Sequence, residues 1–452
     1  MAVIWAERAL LGAGWQEAVR IEVAAGRIVR LDPGSPPEGT RAGLLVPAPA
    51  NAHSHAFQRA MAGLTERRGT GTDSFWTWRE MMFRFLDRLT PAQVEAIAAL
   101  VQMEMLEAGF GASVEFHYLH HRPGGAPYAN PAEMSQRIAA AAATTGIGLT
   151  LLPVFYERGG CDGRPLGPGQ VRFGNDPDGF ARLLDGARAA LAALPPDAVL
   201  GVAPHSLRAV APDRIARIAA LAGDGPVHMH LAEQIPEVEE VRAHLGARPV
   251  EWALESIALD ARWCLIHCTR MQPHETEGLA GTGAVAGLCP LTEASLGDGI
   301  FDGVRWGGAG GRLAVGSDSN IRVALAEELR QLDTSQRLRD HSRAALAAPG
   351  QSTGRHLMEA VAAGGAQAAG RGAGRIEDGA WADLLALRAD HPDLAGLTGD
   401  TALDTFVFAG GSEMVADVWS AGRHLVRDGR HVARETIVAA YVDAVRDLRA
   451  GL

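Results

Sequence analysis

Lysine is absent from all 452 residues, so each of the 42 basic side chains is an arginine. A Schiff-base amine, a P-loop lysine and a lysine bridging two metal ions are therefore excluded. Cysteine is scarce. Cys161, Cys264, Cys268 and Cys289 include no Cys-x-x-Cys pair, which argues against a disulfide framework or a cysteine-ligated zinc and fits a reducing compartment. No apolar run reaches about 18 residues. The first residues, with Glu7, lack a basic stretch leading into an apolar core. Neither a membrane span nor an export signal is expected, and a cytoplasmic location is. Surplus positive charge is also missing. With 53 acidic residues the net charge is −11, no footprint for nucleic acid or an anionic membrane. An anionic ligand must be caught by particular arginines.

What is present is ordinary globular composition, 47% hydrophobic and 21% charged, in a chain long enough for one large and one small domain. From Val3 to Pro47 the pattern is short β segments punctuated by Gly and Pro, and the style returns at Gly374-Arg375-Ile376, Trp381 to Leu385 and Val418 to Arg423 before a closing helix near Glu435 to Leu448. Residues 1–47 and 369–452 are therefore expected to form a small β-sandwich-like domain from both chain ends. Between them, residues 48–368 alternate apolar strands with helical stretches. Strand candidates are Leu45 to His53, Ala112 to Tyr118, Gly146 to Tyr156, Ala198 to Ser206, Pro226 to Leu231, Trp263 to Thr269, Ala284 to Pro290 and Arg312 to Ser319. Eight βα units predict a (β/α)8 TIM barrel.

Catalytic residues of that barrel sit at the C-terminal ends of its strands. The expected ends carry His53-Ser54-His55, His117-Tyr118, His205, His230, His267 and Asp318, a convergence that scattered histidines would not produce. Residues two apart on a strand share a face, so His53 and His55 can chelate one ion. His230 and Asp318 complete three nitrogens and a carboxylate, a set suited to a zinc-like divalent cation. Of His228 and His230, the latter lies nearer the strand end and is the expected ligand, with His228 deeper in the core. Glu233, just past it, is placed for general acid–base work. His120 and His121 are expected to cap or solvate a loop, Cys264 and Cys268 to be buried strand residues, and Trp76 and Trp78 to pack a loop carrying Arg79.

Asn51-Ala52-His53-Ser54-His55, His230-Leu231-Ala232-Glu233, Leu265-Ile266-His267-Cys268 and Val315-Gly316-Ser317-Asp318-Ser319 together resemble the amidohydrolase superfamily. In its mononuclear deaminases the matching positions, His53, His55, His230 and Asp318, cluster around one zinc, and without lysine the carbamylated binuclear type is excluded. Within the superfamily, His53 to Arg59, Phe75 to Met82, Glu115 to His121 and Pro204 to Arg208 resemble the N-formimino-L-glutamate deiminase branch. That resemblance implies a cytoplasmic, homodimeric, zinc-dependent hydrolase of histidine degradation that releases ammonia and N-formyl-L-glutamate. It implies Gln58, Tyr118 and His205 as pocket residues and supports Arg79 and Arg208 as clamps for the two substrate carboxylates. Glu233 would relay a proton to the leaving nitrogen, His267 would polarise the attacked centre or steady the nucleophile, and Asp318 would also accept a proton. Alternatives at this stage are a guanine or cytosine deaminase, a cyclic-amide hydrolase, and an inactive barrel serving as a scaffold.

Overall fold

The computed structural model describes residues 1–66 and 75–450, with side chains 75–77 outside the description. The chain opens with β1 (Ala2–Leu11), β2 (Gly14–Ala24), β3 (Arg27–Asp32) and β4 (Thr40–Pro47). The barrel follows with β5 (Ala50–Ser54), α1 (Phe75–Leu86), α2 (Pro91–Glu107), β6 (Ala112–His117), α3 (Glu133–Thr145), β7 (Gly148–Phe155) and α4 (Pro177–Leu191). It continues through β8 (Val199–Leu200), β9 (Ala203–Pro204), α5 (Pro212–Ala220), β10 (Val227–Leu231), α6 (Ile235–Leu245), α7 (Pro249–Ser256), β11 (Trp263–His267) and α8 (Pro273–Ala280). Then come β12 (Val285–Leu288), α9 (Pro290–Leu296), α10 (Gly303–Gly308), β13 (Arg312–Val315), α11 (Leu325–Asp340) and α12 (Thr353–Ala368). The last segment holds β14 (Leu384–Leu387), α13 (Asp400–Phe408), β15 (Val415–Ser420), β16 (Arg423–Arg427), β17 (Arg430–His431) and α14 (Arg434–Arg449).

Strands β6 and β7 are both buried along their whole length; β7 reads as a near-continuous apolar run, whereas β6 alternates Ala112, Val114 and Phe116 with the polar Ser113, Glu115 and His117. Parallel ladders join β5, β6, β7 and β8 on one side and β10 through β13 on the other. Two parallel bridges, Val202 to Val227 and Ser54 to Asp318, close the ring. Pro91, Pro177, Pro212, Pro249, Pro273 and Pro290 each open a helix, where an absent N–H leaves no bond unmade.

Two strand expectations need correction. The segment Leu45 to His53 is not one strand: β4 pairs with β1 and β14, and β5 starts the barrel beyond Pro47-Ala48-Pro49, whose prolines cannot donate to a ladder. The fourth barrel strand is two short pieces flanking Gly201 and Val202, both paired with β7.

Strands from the two chain ends form one sheet, in the order β17-β16-β15-β14-β4-β1-β2-β3. A bridge from Arg27 to Trp381 ties edge strand β3 back to the segment before β14, so the sheet curls over a core of its own that includes Ile4, Ile21, Ile28, Leu384 and Trp419. The helices of the last segment lie elsewhere. Arg330 of α11 donates to the carbonyl of Val407 at 2.8 Å, and Arg434 at the start of α14 pairs with Glu107 of α2, so α13 and α14 rest on barrel helices.

Sheet and barrel are joined by a buried ion-pair network. Asp197 accepts from Arg371 Nη2 at 3.1 Å and from Arg423 at 2.8 and 2.7 Å, while Arg371 also reaches Asp383 at 3.0 Å. Burial alone would raise the Asp197 carboxyl, but the two guanidiniums hold it below its usual 3.8. A depressed folded-state pKa gives stability that is complete above 3.8 and disappears as pH falls through the lower folded value. Asp197→Asn is accordingly expected to lower stability at pH 7 by about 3 kcal/mol, because the buried Arg371 keeps only one of its two carboxylate partners. The difference should shrink in acid, which denaturant titration at pH 7 and pH 3 will measure.

Candidate active site

The barrel strands end on a ring of histidines. His53, His55, His230 and Asp318 are all buried, and one ligand atom of each lies within 4.8 Å of the others. His53 Nε2 and His55 Nε2 stand 3.4 and 3.2 Å from Asp318 Oδ1, and His230 Nε2 stands 3.1 Å from His53 Nε2. The backbone sets the ring orientations. His55 Nδ1 meets the carbonyl of Phe116 at 2.9 Å and His230 Nδ1 that of His205 at 3.2 Å, so in each the proton sits on Nδ1 and Nε2 offers a lone pair to the centre.

These groups fit a divalent cation on their own chemistry. Burial pushes His53 down to about 3 and lowers His55 and His230, so the imidazoles are neutral at pH 7. His55 and His230 both turn an Nε2 lone pair inward, and one hydrogen on His53 Nε2 can serve only one of the acceptors around it, whereas a cation takes all of them at once. Burial would also raise Asp318, but the hydrogen bond from His53 and the nearby His55 hold it below the carboxylate range, leaving an anion among three neutral donors.

The motif residues around the ligands hold two strands in register. Asn51 donates to Ser317 Oγ at 2.7 Å, Ser317 donates on to Asn320 Oδ1 at 2.6 Å, and Asn320 donates to Ser54 Oγ at 3.2 Å. Gly316 passes so close to His53 that a Cβ there would lie 2.5 Å from its backbone nitrogen, so only glycine fits. Left-handed backbone at Ala232 (φ 52°), His267 (φ 72°) and Asp318 (φ 45°) marks three strand ends where the chain turns to aim a side chain.

A second group of charges flanks the four donors. Glu233 Oε2 accepts from Arg208 Nη2 at 3.3 Å, and Glu233 Oε1 lies 4.0 Å from His267 Nε2. Burial raises the Glu233 carboxyl, with His267 and Arg208 opposing it. Burial would lower His267, but Glu293, whose Oε1 is 3.3 Å from His267 Nδ1, and Glu233 lift it to about 10, which favours its protonated form. His267, Cys289 and Glu293 also cluster, yet Glu293 Oε1 is already engaged by the Cys289 N–H at 2.8 Å and by His267. It anchors His267 rather than an ion.

One cavity contains these groups together with Gln58, Arg79, Tyr118, His205 and Arg208, so every expected site residue apart from the deeper-lying His53 lines it. Gln58 Nε2 donates to the Tyr118 hydroxyl at 2.8 Å, and Arg79 Nη2 to that of Tyr156 at 3.2 Å. Arg79 sits on helix α1, not in a loop, and Trp78 beside it lines the cavity. The side chain of Trp76 lies outside the described residues. His228 is buried deeper, its Nε2 2.8 Å from the carbonyl of Ala368. His120 and His121 cap carbonyls and do not solvate the loop: both are buried, with Nε2 2.9 Å from Val154 O and 2.8 Å from Gly174 O.

Sequence reasoning missed Glu237, Glu293, Asp298 and Tyr156. Glu237 Oε2 accepts the Glu233 N–H at 2.8 Å and fixes the turn bearing it; its place three residues after Gln234 at a helix start was a readable capping signal. Asp298 is buried, engaged by Gln234, and raised by burial and by Glu233 to about 9, which favours its neutral form. Nothing in its local sequence marks it.

Residues 44–425 match the amidohydrolase family, and residues 1–41 match the N-terminal domain of formimidoylglutamate deiminase HutF. The chain belongs to the amidohydrolase family. Over 99% of its length and 100% of the relative's it is 48% identical to the formimidoylglutamate deiminase of Pseudomonas aeruginosa. A solved amidohydrolase from Brucella melitensis superposes with a TM-score of 0.95 at 48% identity, covering 99% of this chain and 100% of that one. An adenosine deaminase from Xanthomonas campestris, solved with bound zinc, shares the fold with a TM-score of 0.82 at 21% identity over 99% and 98% of the two chains.

Proposed function

We propose that this chain hydrolyses N-formimino-L-glutamate to N-formyl-L-glutamate and ammonia, a step of histidine degradation, with one divalent ion, zinc, held by His53, His55, His230 and Asp318. The observation that carries the reading is one cavity, lined by Glu233, Arg79 and Arg208, that opens onto the four-donor cluster through His55, His230 and Asp318. The whole-length likeness to a formimidoylglutamate deiminase supports the choice of substrate. A bound divalent ion supplies Lewis acidity, lowering the pKa of water from 15.7 to about 7.

The chain's own side chains supply the rest. Glu233, buried and balanced between two cations, takes the proton of the attacking water and returns it to the departing nitrogen. The formimino C–N bond to that nitrogen breaks, and ammonia leaves. His267, anchored through Nδ1 by Glu293, turns its Nε2 towards Glu233 and the reacting centre to steady the nucleophile. Asp318 is a carboxylate at the same centre and can accept a second proton. Arg208, bonded to Glu233, takes the carboxylate nearer the reacting carbon, while Arg79, bonded to Tyr156, takes the side-chain carboxylate. Gln58, Tyr118 and His205 complete the wall. In this reading residues 48–368 carry the chemistry, and the sheet from 1–47 and 369–452 braces the first barrel strand.

The test is ammonia release by metal-loaded protein from N-formimino-L-glutamate beside N-formimino-glycine, guanine and cytosine. We expect kcat/KM of about 10⁴ M⁻¹s⁻¹ or better on the glutamate compound alone. Activity on a base would reassign the substrate. Loss of a charge-assisted bond in Arg79→Met should raise KM about ten- to hundredfold with a smaller change in kcat. Arg208→Met should change both constants, because this arginine also touches Glu233.

All four cysteines are free and buried, in accord with a reducing cytoplasm. Among the described residues no helix is long and apolar enough to cross a membrane. A homodimer, implied by the family resemblance, is checked by light scattering.

A further inference from the structure

Tyr156 follows β7, its ring 4.6 Å from that of His205 on the cavity wall. Its hydroxyl receives two N–H groups, from Arg79 Nη2 at 3.2 Å and from Gln170 Nε2 at 2.7 Å. The Gln170 amide has only one workable orientation, since its Oε1 accepts the N–H of Gly167 at 2.9 Å and so Nε2 must face the tyrosine. A guanidinium has no lone pair to offer. With both acceptor positions filled, the phenol keeps only its hydrogen, and among the described residues no protein group accepts it. Gln170 and Tyr156 are both buried, so this arrangement is built into the wall.

We propose that Tyr156 is a specificity-determining residue: its hydroxyl donates to the side-chain carboxylate of the substrate, beside the guanidinium of Arg79. The proposal rests on the function proposed above and adds a donor to it. The neighbours fix the polarity of the contact. A hydroxyl ordinarily serves as donor or acceptor, but here two donors have used its oxygen, so an anion is favoured at this position and an amide N–H is not.

The measurement compares N-formimino-L-glutamate with N-formimino-L-norvaline, whose side chain ends in a methyl group in place of the carboxylate. In Tyr156→Phe the ratio of kcat/KM for the two compounds should fall about ten- to hundredfold, mostly through KM for the glutamate compound. Gln170→Glu keeps the tyrosine but offers its hydrogen a competing acceptor, and should lower the same ratio. An unchanged ratio in Tyr156→Phe, whether both substrates suffer equally or neither does, would overturn the proposal and leave Tyr156 as packing. Calorimetric binding of N-formyl-L-glutamate gives a readout independent of turnover, with a Kd expected to weaken about tenfold in Tyr156→Phe. Silence of the wild-type protein on N-formimino-L-glutamate would sink the functional reading, while the calorimetric comparison would still decide for or against the tyrosine.

Discussion

Replacing Glu233 by glutamine is expected to lower kcat by about two to four orders of magnitude while metal content stays at one ion per chain. Glutamine has nearly the same shape and can still accept from Arg208, so the turn held by Glu237 should survive. What it loses is the ability to hold a proton. In the wild-type protein burial raises the Glu233 carboxyl and His267 and Arg208 draw it back, which brings its affinity for a proton nearer to that of the groups it must exchange with. Elemental analysis beside steady-state kinetics checks the result. Wild-type turnover in the variant would remove Glu233 from the proposed mechanism, and loss of metal would make it a structural residue.

Removing the divalent ion should have the larger effect. Dialysis against a chelator is expected to reduce turnover at pH 7 by about 10⁴-fold or more, because the pKa of water returns from about 7 to 15.7. One equivalent of zinc should restore it. Stability should fall as well. Without a cation the site confines three neutral imidazoles and a carboxylate away from water, two of the imidazoles with nitrogens 3.1 Å apart. Binding to the folded state alone adds about 2.7 kcal/mol at a free ion concentration 100-fold above Kd. A Tm that rises with added zinc, measured by calorimetry, is the expected outcome. A Tm and a rate indifferent to chelation would remove the metal from the reading.

The clustering of His53, His55, His230 and Asp318 was legible in the sequence because it depends on local rules. The period of two along a strand puts His53 and His55 on one face, and parallel βα units bring strand ends to one rim, so residues far apart in the chain could be assigned to one place. Arg79 and Arg208 were legible from their closeness to those strand ends, although the helix that carries Arg79 was not. Strand limits were less so: the break between β4 and β5 depends on where each half finds its partners, and Pro47 alone does not say that the first half belongs to another sheet.

Composition, lysine-free basic charge, strand periodicity and motif spacing determined the barrel, the contribution of both chain ends to a β-rich unit, and the donor types at its rim. Each follows from short-range sterics and from which side chains can bind an ion or a carboxylate. The tertiary structure alone decided that Glu293 anchors His267 and raises its affinity for a proton, that burial raises the Asp298 carboxyl, that Gln170 and Arg79 leave Tyr156 only a hydrogen to give, and that α13 and α14 lie on barrel helices. These outcomes depend on burial and on partners dozens to hundreds of residues away. A proton's position is set by the sum of desolvation and nearby charge, and that sum exists only once the chain has closed around it.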